Sequence, residues 1–584
     1  MKYRWRVAPD RKDLVQSLGR DLGLCPILIQ CLANRGMTDA DIIGRYLNPL
    51  LQSLGDPFIL PGMSAAVDRL VLARQLSQRI VLFGDYDVDG VTSVALLYEF
   101  LTHFGWRCEY YLPNRMEEGY GLSREGVENC LRHFCHETNP IQVLLAVDCG
   151  STAVASVDWL KSRGVDVLVL DHHQISQPRP EAMALVNPLG AEGAMNPERD
   201  GTAYCSAGLA FKMAHAVLKR GRQLKWEGAE NYDLRPLLDL AALGTIADLV
   251  PLTRENRVLV KSGLERLSRT TRPGLVALKE VAKTSNPLEV YDVAFQLAPR
   301  LNAAGRLESA MESLELLLEK NPDGAMARAT KLNEQNQRRQ SLEKTIVDEA
   351  LVLVRAKHKE RNDLVIVEGR EDWHIGVVGI VASRIVQEFH RPALILGGDR
   401  GELRGSGRSI EGFDLAQALL QCRHLLSRHG GHAMAAGLAL SPDHLEAFRE
   451  AMNHLARQSL NSEQLQPVLR LDAEVRLDEL TWENLAELDR LKPFGQGNPP
   501  VQLCVRGVVS ARSMLRMGKE KQHLKFHVTD GQTTHEAVWW NARQGTIPSG
   551  SFDLAFAPAQ NEFQGRRTVQ LKVLDIVEHQ VLPQ

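Results

Sequence analysis

The stretch "RIVLFGDYDVDGVTSVALLYEF" (residues 79–100) changes character halfway along. Residues 79–83 are almost continuously apolar, the composition of a strand covered on both faces of a parallel sheet. From 91 to 104 the apolar residues recur at helical spacing. Between the two stand Asp85, Asp87 and Asp89 at alternate positions, with Gly90 behind them. Strand followed by helix predicts doubly wound α/β architecture, and ligands of such sheets sit outside the carboxyl ends of the strands. Alternate side chains of an extended segment share a face, so the three carboxylates are expected to converge. Converged carboxylates resist joint ionisation unless a cation compensates, and a hard divalent ion is the simplest one. An EF-hand is excluded: counting from Asp85, its twelfth position is Leu96 where a Glu is needed. Thr92 and Ser93 read as caps of the following helix rather than as nucleophiles.

Two other apolar runs end in the same way. "VLLAVDCGS" (143–151) places Asp148 at a strand end with Gly150 and Ser151 behind it, and "VDVLVLDHHQ" (165–174) places Asp171, His172 and His173 at another. A lone His is more often structural, but a DHH triplet beside two other acidic strand ends favours ligation. Imidazole nitrogen suits Mn²⁺ and similar metals, and carboxylates suit Mg²⁺ and Mn²⁺. "LAALGTIADLVPL" (240–252) adds Asp248 within or just after an apolar helix.

At 584 residues the chain is too long for one core. Residues 364–367 and 393–396 read as strands of a second doubly wound α/β lobe, and 323–361 as one long helix joining the lobes, with Leu342, Ile346, Ala350 and Leu353 at helical spacing. After "LKPFGQGNPP" (491–500), short alternating strands predict a small closed β-barrel of the OB kind. The expected domains are 1–322 (catalytic, with an N-terminal extension), 323–361 (helix), 362–457 (second lobe) and 458–584 (linker and barrel). Hydrophobic residues make up 44%, charged residues 24%, and the net charge is −3, an ordinary globular balance that gives no global sign of nucleic-acid binding. No run is apolar enough to span a membrane, "MKYRWRVAPDRK" has no apolar signal-peptide core, and nine scattered cysteines without a CxxC pair suit a reducing, cytoplasmic setting. The stretch 501–584 carries ten Lys/Arg against seven Asp/Glu. Of its aromatics, Trp539, Trp540, Phe526 and Phe552 are candidates for base stacking. Adjacent tryptophans on a strand point to opposite faces, so at most one is expected to meet a base while the other packs, and core packing is the better expectation for any single one of these aromatics.

In order, GDYDVDG, VDCG, DHH and GTIAD resemble the DHH phosphoesterase superfamily. "LAPRLNAAGR" (297–306), "WHIGVVGIVASRI" (373–385), "GSGRS" (405–409) and "GGHAMAAGLAL" (430–440) extend the resemblance, over nearly the whole chain, to its RecJ family of single-strand-specific 5′→3′ DNA exonucleases. The resemblance implies a catalytic set of Asp87, Asp89, Asp148, His172, His173 and Asp248 around two divalent ions, Mn²⁺ or Mg²⁺. Asp87 and Asp148 would hold one ion, with Asp85 as ligand or support. Asp89, Asp148, His172 and Asp248 would hold the other, and His173 would face the scissile phosphate. Many superfamily members carry a His where this chain has Phe83, which puts the strength of the first metal site in question. Substrate contacts are expected from Arg300, Arg306, His374, Arg384, Arg408 and His432; a surface ion pair is the plain alternative for each Arg. The family expectation is a monomer acting on single-stranded DNA in recombination and mismatch or base-excision repair. Its expected partners are single-strand-binding protein and a RecQ-type helicase, and a narrow channel between the lobes is expected to exclude duplex. The alternatives are a hydrolase of short oligonucleotides or cyclic dinucleotides, and a non-catalytic binding module. The first is disfavoured by the barrel region and the second by the intact acidic set. Asp89→Ala is expected to abolish activity with the fold nearly intact, because carboxylate repulsion is relieved.

Overall fold

The computed structural model describes residues 3–114, 118–119, 121–134, 139–190, 203–361, 363–399, 401–511, 514–542, 547–563 and 565–578. Arg512 and Arg543, two of the basic residues counted above, lie outside these. The chain divides into two compact units, one formed by 48–339 with 492–499 and the other by 1–47, 340–491 and 500–584.

The first unit is built on a five-stranded parallel sheet. In space its strands run Arg107–Tyr111, Arg79–Gly84, Val143–Val147, Asp166–Leu170 and Ala184–Val186. Chain order reverses between Arg79–Gly84 and Val143–Val147, the switch point at which open α/β sheets bind ligands. The unbroken apolar runs follow from burial on both faces. Ile80 and Leu82 join the core under helices Val88–His103, Ser206–Gln223 and Leu238–Ala247. Val81 and Phe83 join a second core with Val127, Cys130, Val157 and Leu160. Phe83 is fully buried and its ring stacks on Tyr111 at 5.7 Å. The position where superfamily members carry a His therefore serves packing in this chain.

The long helix spans Pro322–Arg361. Its first half gives Ala325, Ala329 and Leu332 to the core of the first unit, and its second half gives Ile346, Ala350 and Val354 to a core of the second. The sheet there runs Arg428–Gly431, Ala435–Leu440, Glu402–Arg408, Ala393–Asp399 and Ile366–Arg370. This lobe is α/β but not doubly wound. Only Ile366–Arg370 and Ala393–Asp399, linked through helix Val378–Phe389, are parallel, and the other pairs are antiparallel. Short turns join Ala393–Asp399 to Glu402–Arg408 and Arg428–Gly431 to Ala435–Leu440, which makes those two pairs antiparallel hairpins.

Five C-terminal strands close into a barrel: Leu503–Ser510, His523–Thr529, Thr534–Trp539, Phe552–Phe563 and Arg566–Glu578. Val509 and Ser510 pair with Thr529 and Val528 to complete the ring. A bulge between Val505 and Val508, with Gly507 at φ 66°, turns the strand so that it meets both neighbours. Phe526 and Phe552 are fully buried barrel core, which removes them as stacking candidates; Trp539 is half-buried and Trp540 exposed. The N-terminal segment differs from the sequence expectation. Arg4–Val7 pairs in parallel with Val468–Leu471, and Trp5 Nε1 donates to Asp575 Oδ2 at 2.8 Å, so residues 1–47 pack with the C-terminal half of the chain. No helix among the described residues is long and apolar enough to cross a membrane.

Phe83→His places a polar ring in an apolar core. It is expected to cost about 2 kcal/mol of stability, read by urea denaturation, without changing Mn²⁺ affinity.

Candidate metal centre

Asp85, Asp148 and Asp171 each stand one residue past a strand, and each backbone N–H donates to the last residue of the next strand. Asp85 reaches the Val147 carbonyl (3.2 Å), Asp148 the Leu170 carbonyl (3.0 Å) and Asp171 the Val186 carbonyl (3.0 Å). The three carboxylates are thus laid in a row across the switch point, at the strand spacing of about 4.8 Å. Asp148 adopts φ 64°, a left-handed conformation that Asp tolerates better than most residues.

The carboxylates of the first motif converge, but not through alternation along an extended segment. The strand stops at Gly84, and Asp87 is the N-cap of helix Val88–His103, its carboxylate accepting from the N–H groups of Asp89 (2.9 Å) and Gly90 (3.2 Å). Asp89 therefore lies in the first helical turn. Thr92 and Ser93 are not caps. The Thr92 hydroxyl donates back to the Val88 carbonyl at 2.7 Å, and Ser93 is fully buried in the helix. Gly90 is required here, since a Cβ would lie 2.5 Å from the Asp85 carbonyl oxygen.

A second helix start completes the anchorage. The Asp89 carboxylate accepts from the backbone N–H of Ser206 (2.6 Å) and Ala207 (2.8 Å), and the Ser206 hydroxyl donates to Asp148 (2.9 Å). Helix Ser206–Gln223 thereby points its N-terminus at two of the carboxylates. Asp248 caps the C-terminal end of helix Leu238–Ala247. Gly244 on that helix leaves room for Asp89, which a Cβ would approach to 2.9 Å. The loop after Asp248 is braced by 492–499: Leu252 N–H donates to the Gln496 carbonyl (2.7 Å), and Arg257 to that of Lys492 (2.8 Å).

His172 Nε2 is buried without a hydrogen-bond partner among the described residues. It faces Asp148 at 3.4 Å, Asp248 at 3.6 Å and Asp89 at 3.8 Å. Burial holds the His172 imidazole below its ordinary pKa, so the ring presents a lone pair. Burial, then the neighbouring Asp89 and Asp87, pushes Asp248 up to about 8. Burial also raises Asp89, against the pull of His172, and with Asp89 beside it raises Asp148 further. These are carboxylates in want of a cation. Atoms of Asp85, Asp87 and Asp148 lie within 4.8 Å of one another, as do those of Asp89, His172 and Asp248. An orphaned imidazole nitrogen among carboxylate oxygens fits Mn²⁺ or Mg²⁺. Asp148, His172 and His173 form a third such group. His173, however, commits Nδ1 to Asp171 at 2.8 Å, and that bond lifts its pKa to about 9. Burial opposes the ionisation of Asp171, but the bonds from His173 and Ser151 hold it well below the usual carboxylate range. Asn187, fully buried, fixes this corner by donating to Ser151 Oγ (2.9 Å) and the His173 carbonyl (2.8 Å).

Ser206 and Asn187 escaped the sequence reading, and Ser151 was noted there only as following Asp148. Their side chains are ordinary polar groups, and only the fold brings them to the carboxylates. Among the expected substrate contacts, Arg300 and Arg306 lie on helix Ala298–Leu307. Asn302 of that helix accepts from Val88 N–H (3.1 Å), and a Cβ on Gly305 would meet the Tyr86 carbonyl at 2.8 Å, so this helix abuts the catalytic loop. Arg300 donates to Asn333 (3.0 Å) and to the Gln296 carbonyl (2.6 Å). In the other unit, His374 accepts from Gly376 N–H (3.0 Å), and Arg384 pairs with Glu343 at 3.3 Å, the plain alternative for that residue. Arg408 is half-buried and donates to the Gly407 carbonyl (2.9 Å), and His432 is exposed at the turn after Arg428–Gly431.

The anchorage changes the expectation for Asp89. Its removal by Asp89→Ala strands two buried N–H donors, so a loss of stability is expected beside the relief of repulsion. Asp148→Asn is the cleaner probe, because Asn tolerates the left-handed backbone and still accepts from Ser206. Saturating Mn²⁺ is expected to stabilise the wild type by about 2.7 kcal/mol at a hundred times its Kd, read as a rise in melting temperature. Asp148→Asn is expected to lose that rise while melting no lower than the wild type without metal.

The chain matches the family models for the DHH family N-terminal domain (residues 79–245), the DHHA1 domain (362–458) and the RecJ OB domain (471–575). It is 36% identical over 550 residues to the single-stranded-DNA-specific exonuclease RecJ of Haemophilus influenzae, covering 91% of this chain and 93% of that protein. It is 37% identical over 574 residues to RecJ of Dickeya dadantii, covering 95% and 96%. The crystal structure of RecJ in complex with Mn²⁺ from Thermus thermophilus superposes with a TM-score of 0.84 at 28% identity, over all of this chain and 80% of that one. With the DHH triplet, its acidic partners and the closed barrel all in place, this chain belongs to the RecJ family.

Proposed function

We propose that this protein is a metal-dependent exonuclease that hydrolyses single-stranded DNA from the 5′ end. The observation that carries the reading is the buried, unpartnered His172 Nε2 facing Asp89, Asp148 and Asp248 beside the Asp85, Asp87 and Asp148 group. In this reading Asp85, Asp87 and Asp148 hold one divalent ion. Asp89, Asp148, His172 and Asp248 hold the second, with Asp148 shared. When bound, Mn²⁺ or Mg²⁺ supplies Lewis acidity toward water and phosphodiester oxygen and offsets the negative charge of both.

The chain's own groups do the rest. Helix N–H donors fix Asp87 and Asp89 before substrate arrives, and Ser206 orients Asp148. His173, kept protonated by Asp171, offers Nε2–H to a phosphate oxygen. No protein nucleophile is called on: the Ser206 hydroxyl is engaged with Asp148, and burial pushes the Cys149 and Cys205 thiols well up, so both stay protonated. Arg300 and Arg306 contact the strand from the helix that abuts the catalytic loop. In the other unit Arg408, His374 and His432 hold phosphate or the strand end, and Arg384 does so only after releasing Glu343.

The barrel supplies a further grip. Trp540 is 53% exposed with its ring edge-on to His523 at 4.8 Å, next to an open concavity of about 540 Å³ lined by Arg516, Lys521, Gln522 and Asn541 together with one acidic residue, Glu520. A cationic, aromatic face suits a single strand, and it favours long DNA over the short oligonucleotides or cyclic dinucleotides taken as the alternative. The role we propose is cytoplasmic digestion of unwound DNA in recombination and in mismatch or base-excision repair, by a monomer working with single-strand-binding protein and a RecQ-type helicase.

Single strands labelled at either end test the chemistry. With Mn²⁺, a 5′ label is expected to leave first as a mononucleotide, and chelation is expected to stop digestion. His172→Ala is expected to lower the rate by at least about 100-fold, at or beyond the loss typical of removing a metal site's supporting groups. Early release of a 3′ label overturns the polarity, and digestion in chelator overturns the metal assignment. Trp540→Ala is expected to weaken binding of long oligonucleotides by about 1–3 kcal/mol in fluorescence anisotropy.

A further inference from the structure

Tyr291 and Phe295 are 63% and 65% exposed, and their rings lie against each other with centroids 4.9 Å apart and planes tilted by 35°. Two large aromatic rings paired in water are unusual on a surface that has apolar cores at hand. Their neighbours Val293 and Leu297 are fully buried, so the helix turns its aliphatic side to the core and its aromatic side outward.

The backbone is unusual at the same place. The helical run Val290–Asp292, Val293–Leu297 and Ala298–Leu307 contains a π-turn at Val293–Leu297. Pro299 explains it: proline has no N–H to give the Phe295 carbonyl four residues back, and its ring crowds that carbonyl. Such widened turns occur often at functional sites. The start of the run is secured by a capping box between Glu289 and Asp292, and Lys492 neutralises Glu289 at 3.0 Å. The rings therefore sit on a fixed support beside a balanced ion pair.

The same run reaches the catalytic loop through Asn302 and Gly305. At about 1.5 Å per residue, Phe295 stands roughly 10 Å and Tyr291 roughly 16 Å from Asn302 along the axis. That is a few nucleotides of a strand whose phosphodiester is at the metal centre. Asn302, seven residues after Phe295 and eleven after Tyr291, falls on the same face of the helical run as the two rings.

We infer that Tyr291 and Phe295 form a stacking platform for unpaired nucleobases of the DNA strand engaged at the metal centre. The inference rests on the nuclease reading above. The ligand is an unpaired base because only such a base has a free π-face; in duplex DNA each face is covered by the next pair. An aromatic pair without hydrogen-bonding pockets accepts any base, so the platform selects for single-strandedness and not for sequence.

The test uses the full-length chain in Mn²⁺ with a phosphorothioate single strand, which resists hydrolysis. It carries 2-aminopurine at each successive position from the 5′ end. In the wild type, fluorescence quenching is expected at one or two neighbouring positions. Tyr291→Ala/Phe295→Ala is expected to lose that quenching and to weaken binding about tenfold. Phe295→Leu, which keeps the apolar volume, is expected to lose it also, whereas Phe295→Trp is expected to keep it. Both rings are exposed, so the melting temperatures of all variants are expected to match the wild type. An unchanged quenching pattern and affinity in the double variant overturns the platform. Failure of the wild type to digest ordinary single strands in Mn²⁺ overturns the nuclease reading instead, and is read separately.

Discussion

Everything at the centre depends on a backbone alignment. Three successive strands of the parallel sheet end in register, and the residue after each donates its N–H to the last carbonyl of the neighbouring strand. Each of those residues is an aspartate. The sheet thereby converts three separate strand ends into one row of carboxylates, and the reversal of chain order opens the crevice above it. Helices fill in what the strands cannot supply. One brings Asp87 as its cap and Asp89 in its first turn, another offers free N–H groups, and a third ends at Asp248.

That alignment concentrates negative charge. Burial and mutual repulsion push Asp89, Asp148 and Asp248 toward the protonated form. Backbone donors moderate this only in part, since the N–H pair from Ser206 and Ala207 serves Asp89 alone. His172 does not resolve it either, because burial keeps its ring neutral. The fold thus keeps an electrostatic imbalance that divalent cations can offset, while the bond to Asp171 raises the pKa of His173.

Much of this was legible in the sequence because the signals are local. An apolar run followed by Asp needs no tertiary knowledge to be read as a strand end, and three such ends with a DHH triplet already imply convergence. The long helix was legible from its spacing and from the absence of Gly and Pro after Gly324. What escaped was decided by packing at a distance. Nothing in "YCSAG" announces that its N–H groups hold Asp89. Core packing was the expectation for each barrel aromatic and holds for Phe526 and Phe552, but which of them would stay exposed, as Trp540 does, was not legible. In the second lobe the two apolar runs at 364–367 and 393–396 do lie parallel, whereas the antiparallel strands Glu402–Arg408, Arg428–Gly431 and Ala435–Leu440 escaped the reading. The pairing of Arg4–Val7 with Val468–Leu471 joins segments hundreds of residues apart, and no periodicity encodes it.

The acidic residues also carry structural duties that a ligand assignment alone would hide. Asp87 caps a helix, Asp89 ties down the start of another, and Asp148 occupies a left-handed backbone position beside Gly150. A substitution at any of them changes charge and scaffold together, so loss of activity in an Ala variant does not by itself identify a metal ligand. Amide isosteres separate the two effects at Asp87 and Asp148, where one acceptor oxygen takes the hydrogen bonds, but not at Asp89, whose two oxygens accept from Ser206 and Ala207 N–H separately. Where Asn preserves the melting temperature and abolishes the response to metal, the carboxylate was a ligand. Where Ala alone lowers the melting temperature, the hydrogen bonds were the scaffold. The overlap also explains the small residues crowded nearby. Gly90, Gly244 and Gly305 admit backbone or carboxylate to within 3 Å of where a Cβ would stand. The helices can then approach closely enough for one set of aspartates to serve as both cap and cage.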